Sequence, residues 1–275
     1  MRRIAIHTAM YVLLAVGALI SLYPLLFMLS TSLQPMTVVF EYPPKLFAGA
    51  LTWDNFEAAW ASRDFSLYLV NSLFVTAASL FIIALLSSLL AFAYSRFEFA
   101  GKRASFAVLL GSLVIPGLTL VIPQFVMMHQ LGLDDTFAGL ITVYAAGAIP
   151  FTTFLLKGFF DSISREIDES IAIDGGSSWT MYWRMVLPLS KPAFVPAIIF
   201  NVLSIWEEFP WALTIISDPA KRTLPIALAN FQGQYTTQWG VVFAGSLIAV
   251  VPIIAVFLLL QRFFVQGIMA GAVKG

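Results

Sequence analysis

Two neighbouring carboxylates, Glu207 and Glu208, stand in the otherwise apolar run 193–216. Acidic groups in such a setting are costly unless they face water or a partner, or share a proton. Successive helical residues point about 100° apart, so the two cannot both face one cavity. One therefore faces a polar path able to hold a hydroxyl-rich or cationic solute, and the other braces neighbouring helices. The competing reading is that both lie at a boundary and are solvated. Trp206 and Trp211 flank the pair with flat apolar faces of the kind that stack on sugar rings. Asn71, Gln124, Tyr144 and Asn201 are further polar groups in apolar runs, where bonding between helices is their commoner use. Trp206, Glu207, Glu208, Asn201 and Tyr144 make up the expected solute path.

Other chemistry lacks its residues. There is no cysteine, and the two histidines, His7 and His129, are far apart in the chain; neither is assigned a ligand role, and no metal site is expected. No G-x-S-x-G nucleophile turn occurs, and Gly101-Lys102 lacks the upstream glycine of a phosphate-binding loop. The expectation is a non-catalytic chain with no cofactor of its own. With a formal net charge of zero, nothing points to nucleic acid.

The elements that must position these groups are membrane helices. Hydrophobic residues make up 60% of the chain and charged ones 11%, against about 25% charged in soluble domains; mean hydropathy is +0.89. Six apolar runs, roughly 10–31, 67–94, 105–128, 138–158, 193–216 and 239–263, are each long enough to cross a bilayer. The fold class expected is an all-α integral membrane protein, one transmembrane domain over 1–275. The first run is too long for a signal-peptide core and no cleavage site follows it, so it is read as a retained span.

Basic residues orient the chain. Arg2, Arg3, Arg96, Lys102, Arg103, Lys157, Arg165, Arg184, Lys191, Arg262 and Lys274 fall on one side, and only Lys45, Arg63, Lys221 and Arg222 on the other. The positive-inside rule then puts both termini and the 159–191 loop in the cytoplasm. In the first external loop, after Pro35, Pro43 and Pro44, Trp53, Phe56 and Trp60 follow helical spacing, as in an amphipathic helix anchored at the membrane surface. Pro116, Pro123, Pro150, Pro196, Pro210 and Pro252 interrupt the spans; the kinks they make let backbone line a cavity.

The longest polar island is the segment 161–190. Ser164 is placed to cap a short helix with Glu166, Asp168 and Glu169 near its positive end. Ile163, Ile167 and Ile171 recur every fourth residue, and Arg165 and Glu169 are spaced to pair. Gly175 and Gly176 stop the helix, Ser177 starts a second through about Met185, and Pro188 and Pro192 turn the chain back. The remaining internal loops are too short to cover the isoleucine stripe, and an uncovered apolar patch points to a partner.

This island resembles the signature of the membrane subunits of bacterial ABC importers: Glu-Ala-Ala, three residues, Gly, nine residues, Ile-x-Leu-Pro. Glu169, Gly175, Leu187 and Pro188 match, while Ser170, Ile171 and Met185 depart from it. Similarity to the carbohydrate-uptake (maltose MalG-type) subfamily extends through NSL at 71–73, AFAYSRFEFAGKR at 91–103, GLDDTFAGLI at 132–141, TLPIALANF at 223–231 and QRFFVQGIMAGAVKG at 261–275. That subfamily usually has Trp-Asn-Glu-Phe where this chain has Trp206-Glu207-Glu208-Phe209.

The resemblance implies a permease subunit in the bacterial plasma (inner) membrane. Its partners would be an ABC ATPase dimer holding ATP and Mg, a second homologous permease, an extracytoplasmic solute-binding protein and a sugar-like small molecule, with lipid around it. It implies a coupling helix in which Arg165, Glu169, Ala172, Ile173, Asp174 and Gly175 meet the ATPase. Gly271, Ala272, Lys274 and Gly275 of the tail would also reach that subunit. ATP-driven closure of the ATPases would then flip the paired permeases between inward-open and outward-open. The runner-up is a proton-coupled secondary transporter using Glu207 or Glu208, which has no need of the island.

Overall fold

In the computed structural model the chain is described at residues 2–35, 46, 47, 49–62, 64–232 and 237–272, with backbone alone for 2–5 and 262–272. Lys45, Arg63, Lys274 and Gly275, and with them Pro43 and Pro44, lie outside the described residues. The helices are α1 (Arg2–Ser32), α2 (Asp54–Ala61), α3 (Phe65–Arg96), α4 (Lys102–Gly111), α5 (Val121–Gln130), α6 (Phe137–Asp161) and α7 (Arg165–Ile173). Next come α8 (Ser178–Met181), α9 (Leu187–Leu189), α10 (Lys191–Trp206), α11 (Pro210–Ile215), α12 (Leu224–Asn230) and α13 (Trp239–Ala272). No strand occurs among the described residues, only an isolated bridge between Gln232 and Thr237.

Among the described residues four helical stretches are long and apolar enough to cross a membrane: Ile6–Ser32, Phe65–Arg96, Phe137–Asp161 and Trp239–Gln261. Two more would count only as bent pairs, Lys102–Val114 with Gly117–Gln130 (97°) and Ser178–Leu189 with Lys191–Trp206 (72°). The bends have local causes. Pro116 is extended, with ψ 126°, and the third apolar run breaks there. Ser190 ends α9 between Pro188 and Pro192. The apolar run at 193–216 is likewise not one helix: α10 stops at Trp206 and α11 restarts at Pro210.

The chain forms two compact units, Met1–Leu67 with Ala227–Val251 and Tyr68–Ile226 with Pro252–Gly275. In the first, Phe56, Ala59, Phe231, Val241, Ala244 and Ile248 pack together. The predicted surface helix exists as α2: Trp53 and Trp60 are exposed, whereas Phe56 turns into this cluster. Asn55, buried, donates to the carbonyls of Ser32 (2.9 Å) and Gln34 (2.8 Å) and so satisfies the C-terminal end of α1.

Apolar clusters form at both ends of the second unit's long helices. One gathers Val75, Ile83, Leu140, Tyr144, Ile205, Trp211 and Ile215 from α3, α6, α10 and α11. The other gathers Phe92, Leu156, Phe160, Tyr182 and Val186 at the far end of α3 and α6. In a bilayer, apolar burial does not drive such association; packing and a few interhelical hydrogen bonds do. Those bonds are present. Asn71 donates to the carbonyls of Ala220 and Arg222 (both 2.9 Å), and the Leu224 amide donates to Ser72 Oγ (2.8 Å).

Asp135 closes the same end. Its Oδ1 accepts from the amides of Ser217 (3.0 Å) and Asp218 (2.9 Å), and Lys221 Nζ donates to its carbonyl (2.9 Å). The Asp218 amide, against a desolvation cost and with help from Ser217 and Lys221, holds the Asp135 carboxyl below the usual carboxylate range.

Candidate functional site

Two regions of the second unit carry the groups singled out in the sequence. The first is the polar segment between α6 and α10. Ser164 Oγ accepts from the Glu166 amide (3.3 Å) and Ser177 Oγ from the Thr180 amide (3.3 Å), so both predicted caps form. Between them lies a paired C-terminal lock. Gly176 N–H donates to the Ile171 carbonyl (2.8 Å), and Gly175 N–H donates to the Ala172 carbonyl (3.1 Å). Gly175 has φ +75°, and a Cβ on Gly176 would lie 2.5 Å from Ile171 Cγ2. The first glycine is needed for its backbone angle and the second for its lack of a side chain.

The uncovered apolar stripe is a correction. Ile163 packs on the Phe92–Phe160–Tyr182 cluster, and Ile167 and Ile171 are half-buried. The chain itself covers much of the stripe, because the end of α3 reaches under α7. What remains outside is a different set. Arg165, Glu169, Ala172, Asp174 and Gly175 are exposed, and Ile173 is 85% exposed. Trp179 and Trp183 of the second helix are exposed as well. No Arg165–Glu169 ion pair forms among the described residues. The second helix also differs from expectation: α8 passes into a π-helical turn, Tyr182–Val186, before α9.

The second region is a cavity of about 650 Å³ bounded by residues of α5, α6, α10 and α11. It takes in Gln124, Tyr144, Asn201, Ser204, Glu208 and Trp211. Glu207 and Trp206 are not among its lining residues: Glu207 is exposed and Trp206 is buried. Glu208 sits in the break between α10 and α11 and caps α11. Its Oε1 accepts from the Trp211 amide (2.7 Å) and its Oε2 from the Ala212 amide (3.0 Å). Tyr144 Oη donates to the same Oε2 (2.7 Å). A carboxylate at a helix N-terminus satisfies orphan amides and complements the helix dipole, which explains why the break falls there. Glu208 thus both lines the cavity and braces the helices.

Asn201 Nδ2 donates to Thr152 Oγ1 (2.9 Å), an interhelical tie of the expected kind. Trp211 Nε1 is different: it is buried and has no hydrogen-bond partner. The sequence reading named Trp211 only for its flat face. Its stray donor became visible only once α11 was seen to fold back on α6. No group of three or more metal-ligating side chains occurs among the described residues.

An inner-membrane transport subunit accounts for both regions, and comparison with known proteins agrees. Residues 3–269 match the family described as binding-protein-dependent transport system inner membrane component, and the chain belongs to that family. It is 37% identical over 271 residues to the probable ABC transporter permease protein YurM of Bacillus subtilis (strain 168), covering 98% of this chain and 89% of that one. It is 33% identical over 257 residues to the trehalose transport system permease protein SugB of Mycobacterium tuberculosis (strain CDC 1551 / Oshkosh), covering 93% of each. The crystal structure of a bacterial ABC transporter that imports the acidic polysaccharide alginate shares the fold. Its TM-score is 0.84 at 23% identity, over 96% of this chain and 97% of that one.

The protein is therefore a multi-pass permease subunit of an ABC importer in the inner membrane. Family membership displaces the secondary-transporter reading.

Proposed function

We propose that this permease imports a sugar or sugar-like solute, received from an extracytoplasmic binding protein and driven by a separate ATPase dimer that holds the ATP and Mg. The observation that carries the coupling half is the exposed end of α7. Glu169, Ala172, Ile173, Asp174 and Gly175 stand outside a rigidly capped hairpin, with Ile173 85% exposed. An apolar side chain so exposed beside carboxylates is the composition of a docking surface. Arg165 lies at the same helix, and Lys274 and Gly275 of the tail are assigned to the same partner. The positive-inside distribution puts this surface and both termini in the cytoplasm. Six spans, counting each bent pair as one, are consistent with that placement, and the whole chain acts as one transmembrane domain beside a second, homologous permease.

The solute half rests on the cavity. Tyr144, Asn201 and Glu208 line it with polar side chains, and Trp211 lines it with an indole. A pyranose face would cover that ring. The relatives' names concern trehalose and alginate, both carbohydrates, and agree with that chemistry. Trp206 and Glu207 fall outside the cavity lining and are assigned a role beside it, at the end of α10.

Co-purification tests the reading. The full chain, purified from the membrane of its own cell, should bring down a soluble ATPase. Uptake of a labelled oligosaccharide panel in vesicles should require ATP while a proton gradient is held constant. Uptake that survives ATP depletion would end it.

A further inference from the structure

One face of α3 holds both halves of the polar hairpin. Ser88, Phe92 and Arg96 recur every fourth residue, so they lie on one stripe. Ser88 Oγ and Tyr182 Oη are 2.7 Å apart in a fully buried hydrogen bond. The Phe92 ring packs 5.3 Å from the Tyr182 ring. One turn further, at the last residue of α3, Arg96 turns to α7. Its Nη2 donates to the Ile163 carbonyl (3.2 Å), and its Nε lies 3.2 Å from Asp168 Oδ2. The Arg96 side chain is 5% exposed and that of Asp168 17%. A charge pair so far from water is disruptive to break, because either partner alone is left uncompensated.

The two grips differ in kind. Ser88–Tyr182 is short and directed, whereas Arg96 Nε and Asp168 Oδ2 meet as charges without a directed hydrogen bond, and Asp168 Oδ1 is buried without one. A contact held by charge survives small rotations that would break a directed bond. Asp168 also neighbours Glu169 but points the other way: Asp168 is half-buried against α3 while Glu169 is exposed.

We propose that Arg96 is a positioning residue for transport: through Asp168 and Ile163 it makes α3 the membrane helix that moves with the docked hairpin. The Ser88–Tyr182 bond is the fixed point of that motion, and the Arg96–Asp168 pair the contact that adjusts. The proposal rests on the hairpin being the ATPase dock, and it assigns what lies on the membrane side of that dock.

The test uses the assembled transporter in proteoliposomes and reads three quantities: ATPase retained on purification, ATP hydrolysed, and labelled sugar taken up. Asp168→Asn keeps the shape and removes the charge; Arg96→Lys keeps the charge but loses the planar fork whose separate nitrogens face Asp168 and the Ile163 carbonyl. The expected result for both is full retention of the ATPase, hydrolysis within about twofold of wild type, and uptake per ATP reduced about fivefold or more, the lower end of common coupling effects. Exchanging the charges, Arg96→Asp with Asp168→Arg, should restore at least part of the uptake that each single exchange loses.

Uptake per ATP unchanged in Asp168→Asn and Arg96→Lys would overturn the proposal, and so would a double exchange no better than either single one. Loss of ATPase retention in these variants would also overturn it, since Arg96 would then be shaping the dock itself. A wild-type chain that retains no ATPase would instead bring down the docking assignment on which this proposal stands.

Discussion

The hairpin at 164–190 and the cavity beside Glu208 are built on opposite plans. In the hairpin, caps and turn are made by residues within a few positions of one another: Ser164 with Glu166, Gly176 with Ile171, Ser177 with Thr180. Its outward groups, Glu169 and Ile173 among them, are exposed. At the cavity two of the contacts that fix the polar groups reach across long stretches of chain. Tyr144 meets Glu208 and Thr152 meets Asn201. The hairpin's turn and outward face are shaped by local bonds and offered to a partner, whereas the cavity is a by-product of how α5, α6, α10 and α11 are held. Substitutions on the outward face of the hairpin should therefore spare folding and alter function, and substitutions at the cavity should affect both.

The largest effect is expected from Glu169→Arg. Like charges brought together across an interface cost several kcal/mol, so ATP-driven uptake should fall by more than about tenfold. Membrane insertion, followed by protease accessibility of the loops, should stay normal. Normal uptake would remove Glu169 from the docking surface and blur the contrast.

Glu208→Ala should show the opposite pattern. It strands the Trp211 and Ala212 amides and the Tyr144 hydroxyl, at about 1–3 kcal/mol for each group left unsatisfied. The midpoint of thermal unfolding in detergent should drop by several degrees, together with uptake. Tyr144→Phe, which removes one of the three donors, should lose about 1 kcal/mol. Lost uptake at unchanged thermal stability in Glu208→Ala would mean that the carboxylate serves the solute alone.

Gly175→Ala places a side chain at φ +75°, a cost of about 1–2 kcal/mol. Local hydrogen exchange in the hairpin should quicken while the midpoint of the whole protein barely moves, because the lock is local. A drop in the midpoint as large as that of Glu208→Ala would show that the turn is not held by local bonds alone.

The smallest effect sits at the loop ends tied by Asp135. Its pKa is depressed in the folded protein, by the Asp218 amide foremost. The stability it contributes is present above its unfolded-state pKa and is lost as pH falls through the folded value. Between about pH 5 and pH 3, close to the carboxylate range, wild type should lose more stability than Asp135→Asn. Equal losses in a pH series of unfolding midpoints would discount the tie.

Much of the hairpin was legible because its rules are short-range. Serines three or so residues ahead of acidic or polar positions cap helices, and a Gly-Gly pair ends them, whatever the surroundings. The isoleucine stripe misled for the complementary reason. Periodicity shows that a face is apolar but not what lies under it, and what lies under α7 is the end of α3, whose Arg96 is 72 residues away from Asp168 along the chain, an ion pair of 3.2 Å in the fold. The apolar runs at 105–128 and 193–216 read as plain spans because hydropathy averages over the breaks at Pro116 and at Glu207–Phe209.

By itself, then, the amino-acid order settled the membrane character, the helical class, the capped hairpin and the family, all of which follow from composition, period and local caps. Tertiary structure alone decided that Glu208 is a helix cap inside a cavity, that Trp206 and Glu207 stand apart from it, and that Arg96 holds α7. Each of these depends on which distant helix a side chain meets, and a pairing over such distances leaves no mark on local spacing.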